Sequence, residues 1–153
     1  MKKPITILVI LSILLNIGLI YFFIFKGQTV KTNDSRVAVT MSADNTDFVL
    51  DEMRDFLESI QQINEGILTN DAQKIIDAGK KSAGSVIEHA PKGLIKTLPI
   101  GFKNLGFSTH AMFDEIRENA ETNFNTKNTQ VQLNKLLNNC VACPKSFKIE
   151  SLN

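Results

Sequence analysis

The chain has no tryptophan, one tyrosine and only two cysteines among its 153 residues, and neither sign of charge prevails, with 17 basic residues against 16 acidic ones. Each shortage closes off a class of function. Two cysteines are too few to staple a small disulfide-rich fold. A formal charge of +1 gives no domain-wide field to hold DNA or RNA, so no nucleic-acid partner is expected. There is no Gly-rich phosphate loop, no His-Glu-x-x-His helix, no Glu-x-x-His pair of the di-iron kind and no nucleophile with a visible base. The chain is therefore not expected to be an enzyme.

What is present is unevenly spread. From Pro4 to Phe25, 22 residues carry no charge and are dense in Ile, Leu, Val and Phe, with Lys2, Lys3 and Lys26 at the flanks. A helix of that length reaches roughly 33 Å, against about 30 Å of hydrocarbon core, and Asn16 and Gly18 are its weak points. The span predicts an uncleaved anchor over residues 1–26. A cleaved secretory signal is the alternative, although no A-x-A-like site follows. In a bacterium the anchor implies a single pass through the inner membrane by residues 4–25, with the C-terminal domain in the periplasm. Without residues 1–26 the chain keeps 14 basic and 16 acidic residues. Residues 27–46, rich in Thr, Ser, Asn and Asp, read as a polar tether. They include the sequon Asn33-Asp34-Ser35, which has meaning only in a eukaryotic secretory pathway.

From Asp47 the apolar residues take three-and-four spacing. Phe48, Met53, Phe56, Leu57, Ile60, Ile63 and Ile67 line a helix over 47–69. A second is expected from an Asp71 cap to His89, ended by Pro91, a third over 108–124, and a fourth from 128 carrying Leu133, Leu136, Leu137, Cys140 and Val141. The fold class predicted is all-α: an antiparallel four-helix bundle over 47–149, preceded by one N-terminal transmembrane helix. The joint 90–107 mixes Pro91, Gly93, Pro99, Gly101 and Gly106 with Leu94, Leu98, Phe102 and Leu105. It reads either as a lid over a ligand or as a plug closing the end of the bundle core.

Near the C-terminus the chain reads Cys140-Val141-Ala142-Cys143-Pro144, with Phe147-Lys148 just after. Two thiolates three apart on a helix, followed by a histidine, are how c-type haem is attached and ligated. Upstream stand Glu52-Met53-Arg54-Asp55-Phe56-Leu57 with Gln61, the stretch Leu98-Pro99 to Leu105-Gly106, and Ser108-Thr109-His110 with Phe113-Asp114. Together these segments resemble the class II c-type cytochromes, the cytochrome c-prime-like four-helix bundles, over about residues 48–149. The resemblance implies haem c held by thioethers at Cys140 and Cys143, with single-electron transfer or small-gas binding at the iron. Pro144 stands where that family carries its axial histidine.

Four readings of the cysteine pair follow. The first is a thioether-held haem with another axial ligand, for which Met53, His110 and His89 are candidates. The others are a Cys140–Cys143 disulfide in a haem-free interaction or sensory module, two buried thiols acting as small hydrophobes, and thiol exchange or a zinc site. Each candidate ligand also has an ordinary reading. His89 suits the last turn of its helix, His110 a surface or capping place, and Met53 the core. The acidic residues Asp114, Glu115, Glu118 and Glu121 read as a solvated face that a basic redox or signalling protein could meet. A homodimer is compatible with the pattern.

Overall fold

Small polar caps punctuate the chain, and the elements follow them. The computed structural model describes residues 2–22, 27, 29–30 and 33–152. Helix α1 (Lys2–Ile20) precedes strands β1 (Thr29–Val30) and β2 (Val37–Ser42). Then come α2 (Ala43–Thr69), α3 (Ala72–Lys81), a 3-10 segment (Gly84–His89), the short α4 (Leu94–Thr97), α5 (Ile100–Asn123), α6 (Thr126–Ser146) and β3 (Phe147–Leu152). Ser42 opens α2 by accepting the Asn45 N–H at 3.4 Å. Asn70 closes it in left-handed geometry (φ 55°), with its N–H directed to the Gly66 and Ile67 carbonyls. Asp71 at once caps α3 by accepting from the Lys74 N–H at 3.1 Å. Asn125 caps α6 in the same way, taking the Asn128 N–H at 2.9 Å.

The amphipathic faces then decide the packing. α2 lies against α3, α3 against α5, α5 against α6, and α6 back against α2. This ring encloses a first core of Ile63, Ile75, Ala78, Phe113, Ile116, Ala120, Leu133 and Leu136. α3 approaches α5 closely at Gly79, where a Cβ would lie 2.8 Å from Arg117 Cβ and 3.1 Å from the Phe113 carbonyl oxygen. A second core sits at one end of the ring. Val39, Met41, Val49, Leu94, Leu98 and Phe102 form it, with Phe48, Met53, Cys143, Phe147 and Ile149 packed on its edge.

The second core needs a sheet. β2 lies between β1, which is antiparallel to it, and β3, which is parallel, so the strand order is β1-β2-β3. The β2–β3 register runs from Val37 opposite Phe147 to Ser42 opposite Leu152. Ala38, Val39, Thr40 and Met41 are all buried, so β2 is covered on both faces.

This architecture corrects several expectations. The all-α bundle with a transmembrane helix is replaced by a mostly helical fold that includes a three-stranded sheet. Among the described residues no helix is long and apolar enough to cross a membrane. α1 has 19 residues, and at 1.5 Å per residue it reaches about 28 Å. Within it Asn16 turns its amide back onto the Ser12 carbonyl at 2.7 Å. The single-pass placement in a bacterial inner membrane, with residues 4–25 as the membrane contact and a periplasmic domain, is corrected with it. Residues 23–26 of the expected anchor lie outside the described residues, as do residues 28 and 31–32 of the expected tether. The described part of that tether carries β1 and β2. Gly27 (φ +60°) sits so close to the α4–α5 junction that a Cβ would fall 2.5 Å from Pro99 N. The second expected helix ends at Lys81 and continues as a 3-10 segment. The expected loop 90–107 is largely helical, because Pro99 stands at the N-cap of α5, where a missing N–H costs nothing. Leu94, Leu98 and Phe102 turn inward there and close the second core.

Candidate functional site

Where the two cores meet, the helices present polar side chains to the interior. On α2 the boundary falls between Met53, packed on the second core, and Phe56, packed on the first. On α5 it falls between Phe102 and Phe113, and on α6 between Cys140 and Cys143. Glu52, Ser59, Ser82, Thr109 and His110 meet at this level. Ser82 caps the C-terminal end of α3, and its hydroxyl lies 2.8 Å from that of Ser59 and 3.4 Å from the Asp55 carbonyl oxygen. Its own carbonyl oxygen lies 2.9 Å from Nδ1 of His110. On the other side of the ring, Nε2 of His110 is 3.4 Å from Oε2 of Glu52. From α6, Asn139 donates to the hydroxyls of Ser108 at 2.8 Å and Thr109 at 3.2 Å. Every helix of the ring is thus tied to this layer by a hydrogen bond or an ion pair.

The electrostatics follow from burial. The side chains of His110 and Glu52 are 8% and 16% exposed. Burial pushes the Glu52 carboxyl above its ordinary value; the His110 charge draws it back, and Asp55 adds to the rise. The imidazole is held edge-on to Phe56, with ring centroids 4.8 Å apart, and Phe56 stacks on Phe113 at 5.4 Å. Because a carbonyl oxygen only accepts, Nδ1 carries a hydrogen toward Ser82. His110 therefore has both ring nitrogens committed inside the domain. The surface or capping place expected for it is corrected: it lies within α5 and is buried.

The other sequence candidates lie elsewhere. Cys140 packs on the first core and Cys143 on the second, and both are free thiols. Burial pushes both thiols up, and Cys143 also feels Cys140. They stand near the C-terminal end of α6, whose partial negative charge opposes a thiolate further. Pro144 follows within the last turn and is exposed. It has no N–H to give the Cys140 carbonyl, and two residues later the helix turns into β3. Met53 lies half-buried on the second core, and His89 is exposed at the end of the 3-10 segment. Among the described residues no group of three His, Cys, Asp or Glu is placed to hold a metal ion.

These donors do not fit a haem. The position after the second cysteine offers no lone pair, His110 is engaged at both nitrogens, and Met53 and Cys140 belong to different cores. Ser59 and Ser82 were not singled out from the sequence, and Glu52 entered there only as part of the segment Glu52–Leu57, with no site role. Glu52 offered one signal, standing one turn before Phe56 on the same helix. The chain matches no protein-family model, and no curated protein or solved structure is similar to it.

Proposed function

We propose that the chain is a haem-free helical module on the cytochrome c-prime-like plan, serving interaction or sensing and carrying out no catalysis. The observation that carries this reading is His110, whose Nδ1 meets the Ser82 carbonyl and whose Nε2, the nitrogen that could ligate iron, is turned to the buried Glu52 carboxyl. Pro144 in the place of the axial histidine supports it, as does the placement of the two cysteines on separate cores. An interaction role draws support from α1, where the apolar side chains between Ile5 and Ile20 stand exposed.

The test is an absorption spectrum of the full chain expressed together with a c-type maturation system. No Soret band is expected to survive acid-acetone extraction, and a band that does survive overturns the reading. Haem that appears in P144H and is absent from the natural chain would locate the loss of the cofactor at that position. Thiol titration on the same sample, with and without reductant, separates two packed thiols from a Cys140–Cys143 disulfide.

A further inference from the structure

We propose that Glu52, His110 and Ser82 form a proton-operated latch that holds residues 82–93, the strap between α3 and α4, against the helical ring. The inference rests on the haem-free reading, since an imidazole bound to iron could not share a proton with Glu52.

Ser82 is where the strap leaves α3, and it is the strap's most heavily bonded residue. Its carbonyl accepts from His110 on α5, and its hydroxyl meets Ser59 and the Asp55 carbonyl on α2. Past the buried Ala83, the 3-10 segment Gly84–His89 contributes no buried residue. Gly84 donates its N–H to Asp114 Oδ2 at 2.8 Å, and after the 3-10 segment the chain next touches a core through the half-buried Ala90 and then the buried Leu94. The strap's attachment is therefore concentrated at its first residues, where the titratable pair acts.

The state of the pair depends on one proton. Nδ1 keeps its hydrogen in any state that holds the Ser82 contact, so Nε2 and Oε2, 3.4 Å apart, are two bases with one proton between them. With that proton on either atom the pair is neutral overall. Without it, a ring lone pair faces a carboxylate in a site that water barely reaches. With a second proton, an imidazolium stands beside an uncharged acid and the layer holds uncompensated positive charge. Loss of the shared proton is the departure that sets two lone pairs against each other, pushes the imidazole away from Glu52 and loosens its grip on Ser82.

The surrounding charges are few and mostly committed. From α2, Asp55 faces the pair. From α3, Lys81 directs its charge to Asp55 at 3.0 Å and Glu58 at 2.5 Å. From α5, Asp114 holds Gly84 and lies 3.4 Å from Arg117. α6 contributes the uncharged Asn139. Burial raises the Glu52 carboxyl, so the folded chain keeps this proton where the unfolded chain has released it. The associated stabilisation is complete below the ordinary carboxyl value and is lost as pH rises through the folded one. Glu52→Gln removes this limb, because its amide can donate to Nε2 at every pH.

The experiment is hydrogen exchange of the full chain at stepped pH, with protection corrected for the intrinsic rate. In the natural chain, amides of residues 84–92 are expected to lose about tenfold in protection per pKa unit of coupling as pH rises, while the middle of α5 and α6 holds. In E52Q the strap is expected to keep its protection over the same range. Identical profiles in the two chains, or a loss spread evenly over the domain, overturn the latch. Should E52Q fail to fold, nitrogen-15 and carbon-13 titration of the natural chain decides. His110 Nε2 and the Glu52 carboxyl are expected to move with shared midpoints, and independent midpoints overturn the latch. A Soret band removes the haem-free reading, whereas a flat strap profile in a haem-free sample removes the latch alone.

Discussion

The two cores of this molecule are built from sequence in different ways. The first is made inside four helices, and its members recur three and four apart: Phe113, Ile116 and Ala120 on α5, Leu133 and Leu136 on α6. The second gathers Val39 and Met41 from β2, Leu94 and Leu98 from α4 and its C-cap, and Phe147 and Ile149 from β3. A core of the first kind needs each helix to be amphipathic and its neighbours to be close in sequence. A core of the second kind depends on parallel pairing of distant strands, which no local period announces. The boundary between the cores is where the polar side chains lie, so it is also where the chemistry is.

That contrast can be tested by removing one side chain from each core. Phe113→Ala is expected to cost about 3–5 kcal/mol, because a fully buried ring stacked on Phe56 leaves a cavity in the helical ring. Chemical denaturation should register this as a lower midpoint for the whole domain. Met41→Ala is expected to cost about 2–5 kcal/mol, toward the lower end since the site was filled by a flexible, unbranched side chain. Its effect on hydrogen exchange should concentrate in β2, β3 and α4. Equal loss of protection in both cores would show that they open as one unit and would remove the distinction. Lys81→Met is the smallest change. Its pairs with Asp55 and Glu58 lie in partly exposed positions, and the loss is expected to stay under about 1 kcal/mol in the same measurement.

The comparison also explains what could be read from the sequence. The helix over 47–69 was legible because Phe56, Ile60, Ile63 and Ile67 share a face and Asn70-Asp71 ends it with one cap and starts another. The helical character of 100–107 was hidden, because Pro99 and Gly101 read as breakers although the proline occupies a cap, where it is tolerated. The strand Val37–Ser42 was hidden because β2 is covered on both faces and therefore does not alternate. The reading of an anchor rested on apolar length and its flanks, and among the described residues α1 is shorter than that length. His110 was found by its residue type, but its setting was not. Its partners Ser82 and Glu52 lie on other helices, and only the ring brings them to one level.

The parallel pairing of β2 with β3 has a consequence for the order in which the protein is made. A ribosome delivers Val37–Ser42 well before Phe147–Leu152, with all four helices of the ring made in between. Until β3 is made, then, a strand with four residues that are buried in the fold has no neighbour on one side and no finished core around it. The helical ring can form first from local segments, while the sheet end must wait for Phe147–Leu152 to leave the exit tunnel. A chain stopped before Phe147 would carry every residue of the first core yet leave β2 open along one edge. Such an edge is a template for pairing with other chains. Residues Phe147–Leu152 therefore act as the molecule's protection against its own earlier strand.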